Sequence, residues 1–183
     1  MKPILYFLRS SEQKIANDIL HFAYRLDDTD KRLKDLPKLN IYSDNYGLTN
    51  RDLGLYALSN HKIAGALWLR LLKKDDKANA YVDNKTAILT IGVKPEFRGE
   101  GIGTEMLKQL FLEAGTVFEQ ISISILNDEK TVNYFKKFGF EELKDSKGKS
   151  PVDEAEVLTM IKKLSNEKVL RPSDGYDPKK WMD

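Results

Sequence analysis

The sequence predicts an α/β domain, and three observations carry that prediction. Short β-branched or apolar runs alternate with longer segments whose apolar residues recur at helical spacing. Two of the runs, residues 52 to 59 and 62 to 72, are separated only by Asn60-His61 and read as a β-hairpin. A third, residues 87 to 93, passes through a glycine-rich turn directly into a helix-period segment. The chain reads in order as β-α-(α)-β-β-β-α-β-α-β-β, with no internal repeat and no second core.

Ile4 to Leu8 is a short buried strand. Ser10-Ser11 offers an N-cap, and Ile15, Ile19, Phe22, Ala23 and Leu26 share one face, so residues 12 to 26 form an amphipathic helix. Residues 27 to 50 are mixed and polar, with room for a short helix from Asp30. Gly65, inside the second hairpin strand, marks a bulge or a close backbone approach. Residues 73 to 85 are a charged connection. The helix over 102 to 116 turns Met106, Leu107, Leu110, Phe111 and Ala114 inward. Ile121, Ile123 and Ile125 alternate with Ser122 and Ser124, a strand with one wetter face. Residues 130 to 138 are a short helix stopped by Gly139. Strands at 140 to 143 and 155 to 164 flank a polar hairpin loop. Residues 165 to 183 have no clear periodicity but carry Tyr176, Trp181 and Met182, large apolar groups that a disordered tail lacks. The chain therefore divides into one domain, residues 1 to 164, and a tail, 165 to 183, expected to dock on this chain or a second copy.

Composition narrows the class. A length of 183 residues suits one domain with its own core. Hydrophobic content of 41% with 32% charged residues is that of an ordinary soluble protein. The net charge of +2, from 30 basic and 28 acidic residues, leaves no electrostatic footprint for nucleic acid or an anionic membrane. The absence of cysteine excludes disulfides, thiolate metal sites and a Cys nucleophile, and it fits a reducing, cytoplasmic location; no metal is expected. The apolar run between Lys2 and Arg9 is too short for a membrane span.

The segment from Val93 to Thr104 holds the chemistry. A strand leads into Arg98-Gly99-Glu100-Gly101-Ile102-Gly103, and a helix leads out of it. Such a turn aims backbone N–H groups and the positive end of a helix dipole at one point, an anion site suited to a pyrophosphate. No Lys follows the last glycine, which separates it from a P-loop, and no βαβ unit precedes the alternating glycines, which separates it from a dinucleotide fingerprint. The hexamer resembles the acetyl-CoA loop of the GNAT N-acetyltransferase family, Arg/Gln-x-x-Gly-x-Gly/Ala, at every specified position. The element order matches too, and the resemblance covers roughly residues 3 to 164.

The resemblance implies a mixed, mostly antiparallel central sheet flanked by helices, the acyl-CoA N-acyltransferase fold. It implies acetyl-CoA as co-substrate, held by Arg98, Gly99, Gly101, Ile102, Gly103 and Thr104. The backbones of Ile91 and Val93 are expected to run alongside the pantetheine arm, and Asn127 to reach its amide. The family segment Asn-x-x-Ala-x-x-x-Tyr-x-x-x-Gly-Phe is matched at Gly139-Phe140, but Phe135 occupies the tyrosine position and Tyr134 falls one residue early. One residue turns a helical side chain by ~100°, so Tyr134 is expected to miss the place from which that tyrosine protonates the CoA thiolate, and Phe135 to pack. Lys85 stands where the histone-acetylating branch carries a glutamate base.

Acetyl transfer to an amine needs a proton acceptor for the ammonium, stabilisation of an oxyanion and departure of a thiolate. Asp83, just before the strand at 87, is the candidate base; the alternative for it is a loop carboxylate beside Asn84-Lys85. Asp52 opens a strand or caps a turn, His61 sits at a hairpin tip, and His21 lies on the first helix. Trp68 and Tyr56 pack in the core or line a pocket, as do Tyr42 and Tyr46. Two functional readings follow: an acetyl-CoA-dependent transferase acting on a small-molecule or peptide primary amine, or a CoA-binding module of the same fold with little turnover. A homodimer is the expected partner, with no nucleic acid and no membrane.

Overall fold

The computed structural model describes residues 2 to 49 and 51 to 165. Among them, eight strands form one sheet: β1 (Ile4–Phe7), β2 (Leu53–Ser59), β3 (Lys62–Arg70), β4 (Ala87–Val93), β5 (Gln120–Leu126), β6 (Glu141–Glu142), β7 (Gly148–Lys149) and β8 (Glu156–Lys163). Their spatial order is β1-β2-β3-β4-β5-β8-β6, with β7 also on β8. Every pairing is antiparallel except β4 with β5, which is parallel. The fold class is the expected one. Residues 165 to 183, where the docked tail was expected, lie outside the described residues apart from Ser165.

Alternation along the strands sorts the side chains into two cores. Leu67, Leu69, Leu89 and the three isoleucines of β5 meet α2 (Ile102–Ala114) and α3 (Glu129–Lys136) on one face. Ala66, Trp68 and Ile88 meet α1 (Gln13–Ala23) and the segment after it on the other. The hairpin closes at Asn60-His61, both with positive φ. At Gly65 both sequence expectations hold. The β2–β3 register shifts beside it, and a Cβ there would stand 2.6 Å from the Gly92 carbonyl. Gly92 in turn admits α1, since a Cβ at that position would meet Ala23 N and Ile19 at 2.8 Å.

Most elements differ from the sequence reading by a residue or two at their ends, and three segments differ further. The helix at 12 to 26 is a 3-10 turn (Ser10–Glu12) followed by α1, which stops at Ala23; Arg25 is left-handed. A helix from Asp30 is replaced by 3-10 turns at Leu33–Asp35 and Pro37–Tyr42. The polar loop at 144 to 151 contains β7, drawn onto the free edge of β8. The segment after α1 owes its path to tertiary bonds. Arg70 donates to the carbonyls of Ile41 (3.1 Å) and Asp44 (2.5 Å) and pairs with Asp52 at 2.9 Å, while Trp68 Nε1 donates to Tyr42 O at 2.6 Å.

Candidate active site

The parallel pair β4–β5 holds together only at Ala87–Ile121 and Ile88–Ser122; beyond that the strands separate. The direction of the freed backbone groups follows from one bond. Lys94 N–H donates to Ala64 O at 2.8 Å, on the β3 side. Antiparallel partners alternate along a ladder, so Gly92, Thr90 and Ile88 also face β3. Ile91 therefore turns its N–H and C=O into the gap toward β5 and Val93 its N–H, while the Val93 C=O, facing the same way, accepts from Arg98 Nε at 3.0 Å. Leu89 also faces β5, but its N–H closes the last β4–β5 bridge, at Ile88–Ser122.

The gap leads to the glycine loop. Phe97 and Ile102 are buried and pin its two ends. Between them Gly99 and Gly101 both have φ +79°, a conformation that costs a side-chain-bearing residue about 1–2 kcal/mol, and a Cβ on either would have nothing within 4 Å. Gly101 is the N-cap of α2, and no side chain caps that end. The first N–H groups of α2 thus face open space with the dipole behind them. A Cβ on Gly103 would come within 3.5 Å of Tyr134 Oη and 3.8 Å of the Ile91 and Val93 side chains. A pyrophosphate fits this cradle, and an extended arm fits the strand gap behind it.

Tyr134 is where the structure corrects the sequence reading. Phe135 is buried against Phe140, as expected. The same rotation that sends Phe135 inward brings Tyr134 to the mouth of the loop, with its hydroxyl 3.3 Å from Thr104 Oγ1. No local pattern singled it out: on the helix Tyr134 lies about 100° from Phe135 and about 160° from Val132, the two buried residues of α3, and it is the packing of α3 against α2 that brings it to Thr104.

Three other expected residues are placed differently. Asp83 lies before the start of β4, about 20 Å of strand away from the glycine loop at its other end. Its Oδ1 accepts from Lys85 N (2.8 Å) and Thr86 N (2.7 Å), and these bonds, that of Lys85 foremost, hold its carboxyl below the usual aspartate range. The loop-carboxylate alternative describes it. Asn127 gives its side-chain amide to the Glu156 carboxylate and its N–H to Glu156 O (3.0 Å), so it is tied to β8, on the far side of β5 from the gap. Arg98 is committed within the protein: Nε donates to Val93 O at 3.0 Å and Nη1 pairs with Asp27 at 2.9 Å. Burial pushes the Asp27 carboxyl up, but the Arg98 bond and charge outweigh it and hold the group below its ordinary value.

Residues 51 to 142, half of the chain and containing the gap, the loop and α3, match the acetyltransferase (GNAT) domain family. The chain belongs to the GNAT family. A probable N-acetyltransferase of Drosophila melanogaster, named san, is 29% identical over 127 residues, covering 63% of this chain; the match spans about two thirds (66%) of that relative's length. Among solved structures, a GNAT phosphinothricin acetyltransferase from Sinorhizobium meliloti, in complex with AcCoA, superposes with a TM-score of 0.64 at 17% identity over 97% of both chains. A ribosomal-protein-alanine N-acetyltransferase from Brucella melitensis gives 0.60 at 17% identity over 88% of this chain and 99% of its own. At such identities these structures establish the shared GNAT fold. The remaining candidates have structural work: Asp52 accepts from Gly47 N at 2.9 Å, Tyr46 Oη donates to Leu8 O, and Tyr56 Oη donates to Glu12. No helix among the described residues is long and apolar enough to cross a membrane.

Proposed function

We propose that this GNAT chain transfers an acetyl group from acetyl-CoA to a primary amine by direct attack in a ternary complex. The observation that carries the reading is the uncapped, glycine-lined N-terminus of α2 opening onto the unpaired edge of β4. Bound acetyl-CoA supplies the activated acyl thioester. The N–H groups at the start of α2 hold phosphate oxygens. The edge of β4 bonds the extended arm at Ile91 and Val93, and a β4 N–H in the gap stabilises negative charge on the reacting carbonyl oxygen. In this reading Tyr134, whose hydroxyl lies 3.3 Å from Thr104 Oγ1, is the candidate donor of a proton to the departing sulfur.

The amine approaches from the α1 face of the gap. The polar side chains of β4 and β5 on that face are Thr90, Gln120, Ser122 and Ser124, of which Gln120 donates to Thr86 Oγ1 at 3.0 Å and Ser122 to Ala80 O at 2.7 Å. With Asp83 at the other end of β4, proton removal falls to water positioned by the hydroxyls of Thr90 and Ser124. This weak base favours the second reading, a CoA-binding module with little turnover, as the competitor. Thiol release from acetyl-CoA, measured across polyamines, amino acids, aminoglycosides and peptides, separates the two. Turnover above the uncatalysed rate with one class supports the transferase; CoA binding without release across all of them supports the module.

A further inference from the structure

Arg98 has three donors engaged inside the protein. Nε holds the Val93 carbonyl at the end of β4, while Nη1 and Nη2 grip the two oxygens of Asp27 at 2.9 and 3.2 Å, the fork-on-carboxylate geometry of strong ion pairs. The Asp27 side chain is only 13% exposed. Its backbone is anchored by neighbouring Leu26, buried in the α1-face core. The loop after Arg98 lacks comparable support, because positions 99 and 101 have no neighbours to pack against. Asp27 also belongs to the segment that continues to Lys31, whose ammonium donates to Val152 O, and on to the Ile41 and Asp44 carbonyls held by Arg70.

We propose that Asp27 is a positioning residue. Through Arg98 it fixes the direction in which the glycine loop leaves β4, and it joins that loop to the segment after α1 on the opposite face of the sheet. Arg98 acts as the pin between the two and does not serve as the phosphate's own cation. The proposal rests on the reading of the loop as a CoA site. It makes a prediction opposite in sign to direct phosphate contact, in which removing Asp27 would free Arg98 for the ligand and tighten binding.

The test is calorimetry of CoA with wild type, Asp27→Asn, Arg98→Ala and the double variant at two salt concentrations. Asp27→Asn should weaken CoA about tenfold, Arg98→Ala should match it, and the double variant should be no worse than either, as for one coupled unit. Asp27→Asn should leave the salt dependence unchanged. Asp27→Glu, which keeps the charge, should bind within about threefold of wild type. A loss with Asp27→Glu equal to that of Asp27→Asn overturns the ion-pair account. Unchanged or tighter binding by Asp27→Asn, with weaker binding by Arg98→Ala, overturns the positioning role. A second measurement needs no ligand. The amides of Lys94, Phe97 and Arg98 donate to the carbonyls of Ala64, Lys94 and Pro95. Their hydrogen exchange should accelerate in Asp27→Asn while the amides of β3 and β8 keep their protection; unaltered exchange there refutes the proposal. If wild type itself fails to bind CoA, the ligand assignment fails, and the exchange result still decides the role of Asp27.

Discussion

Gly101 concentrates the demands of the site in one residue. It takes a left-handed φ of +79°, ends the loop, and leaves the α2 N-terminus bare. A valine there strains the backbone and pushes methyl groups into the ligand's space, while the buried anchors Phe97 and Ile102 stay in place. Gly101→Val is therefore expected to abolish CoA binding by calorimetry and to keep a cooperative melt. Retained affinity would remove CoA from this loop. Tyr134 carries the second residue-scale prediction. If it protonates the leaving sulfur, Tyr134→Phe should lower kcat by about 10²–10⁴ with little change in CoA affinity. A few-fold change in kcat would return the residue to packing. Sequence spacing alone had pointed to that weaker effect, because aligning on Gly139-Phe140 puts Phe135 in the tyrosine's place. Only the position of α3 against α2 shows which of the two side chains reaches Thr104.

At the scale of elements, α3 matters because it carries Tyr134, and its start depends on one carboxylate. Asp128 is the N-cap, accepting from Thr131 N at 2.9 Å and Thr131 Oγ1 at 2.7 Å. The Thr131 backbone bond, foremost among several, lowers the pKa of Asp128 from 3.8. A carboxyl with a lowered folded pKa stabilises fully above its unfolded value and loses that contribution as pH falls through the folded one. Removing such a cap costs about 1 kcal/mol. The melting gap between wild type and Asp128→Ala should thus be full near neutrality and narrow below 3.8. A gap independent of pH down to acid denaturation would show that charge is not part of the cap. This element was readable in advance to within two residues at either end, since its helical spacing and terminal glycine are local. The segment after α1 was not. Its 3-10 turns are held by Arg70, Trp68 and Gln13, partners 26 to 30 residues away that no local pattern specifies.

For the molecule as a whole, the proposed CoA site joins distant parts of the domain: the loop rests on β4, α2, α3 and, through Asp27, on the segment after α1. A ligand bound there should stabilise the entire domain. At a hundred times its Kd, CoA adds about 2.7 kcal/mol, or about 5–10 °C in Tm for a chain of this size. Scanning fluorimetry against CoA and against adenosine as a phosphate-free control measures this directly. No shift with CoA at millimolar concentration would contradict the site.

The α/β class, the hairpin at Asn60-His61, the special backbone at Gly65 and the glycine loop between β4 and α2 were legible along the chain, because each is written in the spacing of neighbouring residues. The resemblance of the whole strand–loop–helix unit also pointed to Ile91 and Val93 as expected contacts of the pantetheine arm. Three-dimensional packing alone set the insertion of β8 between β5 and β6, the parting of β4 and β5 after Ile88, and the pairing of Arg98 with Asp27. Those outcomes depend on contacts across 30 to 71 residues of chain. Such contacts are selected by which faces of the sheet must be buried together, and periodicity along a single segment carries no information about them.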